Sequence, residues 1–135
     1  MASPNIQYIK TPLHDAAGEG DLQKLEDLLM EGTYDVNSPD QDGWTALHYA
    51  AVRGHAMAAE FLMEQGANPN AVNSQGVTPL LAATYEGHRG VAEALINHQG
   101  DPNTCDENLL TPLTTALGRG YGELVDLLMN HGARF

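Results

Sequence analysis

Six histidines and one cysteine in 135 residues are the side chains best suited to chemistry here, as metal ligands, general bases or a nucleophile. Their spacing argues against each use. His14 pairs with His48, His55 with His88 and His98 with His131, each pair separated by 33 or 34 residues, so every histidine belongs to a common step along the chain. Equivalent positions on stacked helices lie roughly 8–10 Å apart, too far to share one metal ion. No HExxH run and no Cys/His spacing typical of zinc occurs. Cys105 has no fixed basic neighbour to lower its pKa and reads as an inert thiol. Ser3, Ser38 and Ser74 lie in no Gly-x-Ser-x-Gly elbow, and the glycines form no phosphate loop followed by Lys-Ser/Thr. A catalytic site gathers titratable groups around a pocket, whereas a repeat disperses them. The chain is therefore expected to be no enzyme and to hold no cofactor or metal.

The elements that must position these side chains are set by an internal period. The runs Thr11-Pro12-Leu13-His14, Thr45-Ala46-Leu47-His48, Thr78-Pro79-Leu80-Leu81 and Thr111-Pro112-Leu113-Thr114 begin 34, 33 and 33 residues apart. Gly20, Gly54, Gly87 and Gly120 keep the same step, as do Asn37, Asn70 and Asn103. Each marker has a physical purpose. Threonine can cap a helix N-terminus through its hydroxyl, and proline fits the first helical position, where its missing N–H costs nothing. Alanine pairs such as Ala16-Ala17 and Ala50-Ala51 make a thin helix that packs closely, and the glycine eight or nine residues on ends it. A second helix follows in each unit, carried by Leu25, Leu28 and Leu29, by Phe61, Leu62 and Met63, by Val91, Leu95 and Ile96, and by Leu124, Val125, Leu127 and Leu128. Gly32, Gly66 and Gly132 stand where a left-handed cap is needed, and an Asn/Asp/Pro-rich turn leads onward.

This unit resembles the ankyrin repeat, whose pattern runs Gly-x-Thr-Pro-Leu-His-x-Ala-Ala, then Gly-His, then Leu-Leu-x-x-Gly-Ala-Asp-x-Asn. The second copy carries it nearly whole, as Gly43-Trp44-Thr45-Ala46-Leu47-His48-Tyr49-Ala50-Ala51, Gly54-His55 and Gly66-Ala67-Asn68-Pro69-Asn70. The resemblance covers residues 11–135. It implies an all-α solenoid of stacked helix-turn-helix units joined by short β-hairpin loops, with the hairpins and first helices forming a concave face. One domain over 1–135 is expected, with repeats near 6–39, 40–72, 73–105 and 106–135, the last acting as a cap to a complete domain. Departures mark weak points. Leu81 and Thr114 replace the motif histidine, Gln99 replaces a capping glycine and Leu109 a hairpin glycine. Gln99 is expected to take a left-handed backbone at a cost of about 1 kcal/mol, and repeats three and four to fray before repeat two.

Composition narrows the partner. Hydrophobic residues make up 42% of the chain and charged residues 18%, as in a folded domain. Eighteen acidic against six basic residues give a formal charge of −12, which repels phosphates and anionic lipid surfaces, so neither nucleic acid nor membrane is expected. No apolar run reaches membrane-spanning length, residues 1–10 lack the pattern of a secretory signal, and the lone cysteine permits no internal disulfide. A reducing, cytoplasmic setting is expected, with the nucleus also open to so small a chain.

Function then falls to a protein partner, bound by the chain as an adaptor, scaffold or inhibitor, and a monomer is expected when unbound. Poor capping of the stack would instead favour self-assembly. The resemblance places the residue before each threonine on the concave face, where Trp44, Val77 and Leu110 form an apolar stripe with Trp44 as anchor. It places Val52-Arg53, Tyr85-Glu86, Glu19 and Arg119 on the same groove, with Asp42 and Glu107 at the hairpins. The expected partner has an apolar ridge with basic flanks. The competing reading is structural, with Trp44 packed on a neighbouring hairpin and the acids serving solubility. Narrower alternatives come from resemblance alone. Thr78 to His88 is similar to a run in myotrophin-type ankyrin proteins, which sequester actin capping protein, whereas four-repeat inhibitors of cyclin-dependent kinases have a shortened helix in repeat two. Asn37 and Asn103 resemble targets of an asparaginyl hydroxylase, though a turn asparagine also serves its own backbone.

Overall fold

The computed structural model describes residues 9–135. The expected start of the first repeat at residue 6, Ser3 and most of the segment tested for a signal lie outside the described residues. Eight helices form four pairs: α1 (Pro12–Glu19) with α2 (Leu22–Met30), α3 (Ala46–Arg53) with α4 (Ala56–Glu64), α5 (Pro79–Tyr85) with α6 (Arg89–Asn97), and α7 (Pro112–Arg119) with α8 (Gly122–Asn130). Inner helices α1, α3, α5 and α7 stack in sequence, each also against its own outer helix, while the outer helices form a second row. No strand forms among the described residues. The hairpins are tight turns closed by backbone bonds such as the Asp40 amide donating to Trp44 O at 2.9 Å with the Gly43 amide to Asp40 O at 3.0 Å, and the Asn73 amide to Val77 O with the Gly76 amide to Asn73 O, both at 3.0 Å.

The repeat markers do what their chemistry allows. All four threonines are N-caps whose hydroxyls accept from first-turn amides. His14 and His48 complete the cap from the other side: the Thr11 amide donates to His14 Nδ1 at 2.9 Å and the Thr45 amide to His48 Nδ1 at 3.1 Å. Each ring then donates from Nε2 to the next repeat, His14 to Ser38 O at 2.9 Å and His48 to Val77 O at 2.8 Å. His55 and His88 reach backward instead, donating to Gly18 O and Val52 O, both at 3.1 Å. These four rings are thus ties between neighbouring repeats.

The departures divide. Thr114 proves an adequate substitute for histidine, its hydroxyl accepting from the Thr111 amide at 2.9 Å, so the expected weakness at that position is corrected. Leu81 makes no such bond, and the Thr78 cap is one-sided. Gln99 and Leu109 take left-handed backbones, φ 72° and 66°, where the pattern has glycine.

The core lies between the two rows. Leu13, Leu47, Leu80 and Leu113 are fully buried beneath the caps; Leu62, Leu95 and Leu128 fill matching places on outer helices, and on α2 the fully buried leucine is Leu25, one turn earlier. Buried Ala16, Ala50, Ala83 and Ala116 let inner helices pack closely. At the far edge each repeat asparagine clamps the next turn. Asn37 Nδ2 donates to Gly66 O and its Oδ1 accepts from the Asn68 amide. Asn70 does the same to Gln99 O and the Asp101 amide, and Asn103 to Gly132 O and the Arg134 amide.

Candidate functional site

Stacking places the residues before Thr45, Thr78 and Thr111 in one row beside the ends of α3 and α5. A cavity of about 410 Å³ opens there, lined by Trp44, Val52, Val77, Tyr85, Glu86 and Leu110 among the expected site residues. Six of the eleven expected residues are therefore brought together. Glu19, Asp42, Arg53, Glu107 and Arg119 are exposed but do not line it. Arg119 instead lies over the Tyr85 ring, its guanidinium carbon 3.9 Å from the centroid, which holds an exposed aromatic at the rim.

The cavity also has walls beyond those eleven residues: the hairpin residues Gln75 and Asn108, in phase with Asp42, and Leu81, Ala82, Asp106 and Thr115, which repeat phase did not single out. Leu81 and Ala82 were legible only as members of a buried helix. That they floor a hollow depends on their being small or short-reaching where a neighbouring repeat carries Tyr49.

Trp44 is half-buried and packs within its own repeat, 5.7 Å from the His48 ring and 5.3 Å from that of Tyr49. Below it, Asp40 is a buried carboxylate that organises the hairpin. Oδ1 accepts from the Asp42 amide at 2.9 Å and the Trp44 amide at 3.0 Å, while Oδ2 accepts from the Tyr49 hydroxyl. Burial alone would raise its pKa, but the Tyr49 hydrogen bond and then the two amides outweigh it and hold the carboxyl below its ordinary value. The Tyr49 phenol is pushed up correspondingly, first by burial and then by Asp40. Burial lowers His14, and it lowers His48 to about 4. The hydrogen-bond pattern agrees, because Nδ1 of each ring already accepts an N–H and a second proton would face a donor. These are neutral structural imidazoles with no free nitrogen for a metal or a substrate.

Among the described residues no three His, Cys, Asp or Glu side chains gather in a metal-holding group, and no helix is long and apolar enough to cross a membrane. Cys105 is exposed. Asn37 and Asn103 are engaged at both ends of their amides by the clamps described above.

Comparison with known proteins agrees with this architecture. A family model described as ankyrin repeats (3 copies) matches residues 13–106 and again 65–135. The chain belongs to the ankyrin repeat family. Its curated relatives share the repeat over a short stretch: the NAD-capped RNA hydrolase NUDT12 of Homo sapiens is 43% identical over 56 residues, 42% of this chain and 12% of that protein. Protein phosphatase 1 regulatory subunit 12A of Mus musculus is 48% identical over 52 residues, 38% of this chain and 5% of that protein. Ankyrin repeat domain-containing protein 7 of Homo sapiens is 46% identical over 50 residues, 37% of this chain and 20% of that protein. The chain thus spans a small fraction of the length of the relatives it matches, and a match of that extent carries no hydrolase chemistry to it. Ankyrin repeats are generally non-catalytic and make a protein–protein interaction module of this chain.

Proposed function

We propose that this ankyrin domain binds a segment of a partner protein along the groove between the hairpins and the inner helices, over repeats two to four. The carrying observation is the convergence of Trp44, Val52, Val77, Tyr85 and Leu110, from three repeats, on one open cavity. A solenoid hides its repeating residues in the stack, so a concave apolar patch assembled from variable positions is surface available to a ligand. Asp42, Glu86, Asp106 and Glu107 stand around it and make no ion pair among the described residues. An apolar ridge with flanking lysine or arginine complements that rim. The chain would act as adaptor, scaffold or inhibitor, free of catalysis, in the cytoplasm or nucleus. Helix α3 has eight residues, as long as α1 and α7, which favours a general scaffold over the kinase-inhibitor type with its shortened second repeat.

The test is affinity capture from the native cell with the wild-type chain and with Trp44→Ala/Tyr85→Ala, both checked by circular dichroism. Loss of specific partners from the folded double variant is expected. Full retention defeats the groove.

A further inference from the structure

The chain supplies its own picture of what belongs in the groove. In repeat two the Tyr49 ring fills the space between its repeat and the one before. It lies 5.6 Å from the His14 ring and 5.3 Å from that of Trp44, with Lys10 Nζ 5.0 Å from its centroid, and its hydroxyl donates to Asp40. Two repeats on, these positions become Leu81, Leu110, Val77 and Asp106, and Tyr49 itself becomes Thr115. All five line the cavity. The hairpin acid is unchanged in purpose: Asp106 Oδ1 accepts from the Asn108 amide at 2.8 Å and the Leu110 amide at 3.0 Å, as Asp40 Oδ1 does from its own hairpin. Its Oδ2 therefore takes the place that receives the phenol in repeat two, and here no tyrosine arrives. Thr115, only 6% exposed, has a buried hydroxyl with no protein partner.

We propose that this hollow is a socket for a tyrosine side chain of the partner, the phenol donating to Asp106 as Tyr49 donates to Asp40. The inference rests on the groove reading above and deepens it by naming the anchor. A phenylalanine would fill the walls of Val77, Leu81 and Leu110 but leave the Asp106 carboxylate without a donor. A lysine would drag an ammonium past those walls to reach Asp106, with a desolvation cost that an ion pair scarcely offsets even with Glu86 at the cavity wall. A partner carboxylate would meet Asp106 and a chain of net charge −12.

The probe is p-cresol, the tyrosine side chain alone, titrated into isotope-labelled protein by NMR against toluene and n-butylammonium. Saturable shifts at Val77, Leu110 and Thr115 are expected, with toluene weaker by about ten-fold, the worth of one neutral-to-charged hydrogen bond at its low end. Asp106→Asn should bring p-cresol down to the level of toluene and leave toluene unchanged. That variant keeps its hairpin, because Asn73 in the same place accepts from the Gln75 and Val77 amides. Thr115→Tyr, which rebuilds the repeat-two pair with Asp106, should fill the socket and erase the p-cresol shifts. Equal binding of p-cresol and toluene, indifference to Asp106→Asn, or tighter binding of n-butylammonium overturns the tyrosine socket. Capture from cells separates the two readings. A partner lost by Trp44→Ala/Tyr85→Ala but kept by Thr115→Tyr leaves the groove standing and removes the socket as its anchor. Partners kept by both variants overturn both readings, because neither an emptied groove nor a filled socket then costs the partner anything.

Discussion

Among single residues, His48 is the one whose chemistry is most altered by the fold. Its imidazole is buried, caps α3 through Nδ1 and ties repeat two to Val77 O through Nε2. Burial lowers its pKa from 6.5 to about 4. The unfolded chain binds a proton there below about pH 6.5 while the folded chain refuses it until about pH 4, so the His48 contribution is whole above pH 6.5 and is lost as pH falls toward 4. The full linkage is about 3 kcal/mol at the most, and His14, shifted in the same direction, adds to it. Urea midpoints measured at about pH 7 and about pH 4.5 should fall accordingly. His48→Gln keeps a side chain suited to the capping box and removes the titration, so it should start lower and lose less over that window. An equal loss in wild type and variant would place the acid sensitivity elsewhere. The residue scale is also where sequence reading was sharpest: a histidine three residues after a capping threonine is legible as a cap. Asp40 was not, because its partner Tyr49 lies nine residues on and the pair exists only once the hairpin has folded back on α3.

Between elements, the decisive feature is how closely one repeat sits on the next. Gly54 and Gly120 both end inner helices with left-handed backbones, φ 81° and 74°, so alanine at either carries a conformational cost of about 1 kcal/mol. A Cβ on Gly54 would also lie 2.8 Å from the His88 ring, the ring that donates to Val52 O, whereas one on Gly120 would meet nothing within 4 Å. Gly54→Ala should therefore destabilise by clearly more than Gly120→Ala, the excess reporting a strained contact between repeats two and three. Equal losses in denaturant would mean that His88 moves aside freely. The opposite exchange is expected to help at Leu109, an exposed residue held at φ 66°. Leu109→Gly relieves strain of about 1 kcal/mol, offset in part by a freer unfolded chain. Helices, caps and their order were readable from the period because each signal is local. The groove was readable as a face and not as a depth: the phase of Trp44, Val77 and Leu110 is fixed by the repeat, but the hollow under them depends on Ala82 and Thr115 standing where Tyr49 stands in repeat two. Glu19 and Arg53 share the phase of Glu86, and Asp42 that of Gln75 and Asn108, yet they remain outside the cavity, since phase says which side a residue faces and not how far its neighbours leave room.

For the whole molecule, local stacking and a large excess of one charge act against each other. Contacts run from each repeat to its neighbours, through the histidine ties, the asparagine clamps and the leucine core, so the stack can open from a weak point without losing the rest. Gln99 and Leu109, both in left-handed backbones, and the one-sided cap before α5 concentrate the weak points in repeats three and four. Amide exchange should accordingly be faster in α6, α7 and α8 than in α3 and α4, and the reverse order would contradict the reading of those departures. The formal charge of −12 is spread over the same stack, with ion pairs confined to Lys10–Asp15 and to Arg89 with Glu93 and Glu123 among the described residues. Self-repulsion in the compact state then exceeds that in the expanded chain. Raising sodium chloride from about 0.02 M to about 0.5 M shortens the screening length from roughly 20 Å to roughly 4 Å, so the thermal midpoint should rise. A basic partner held by Asp42, Glu86 and Glu107 should be released over the same interval, giving salt dependences of opposite sign for folding and for binding. A midpoint that falls with salt would show that the three ion pairs outweigh the repulsion, and a partner indifferent to salt would have to be held by the apolar floor of the groove alone.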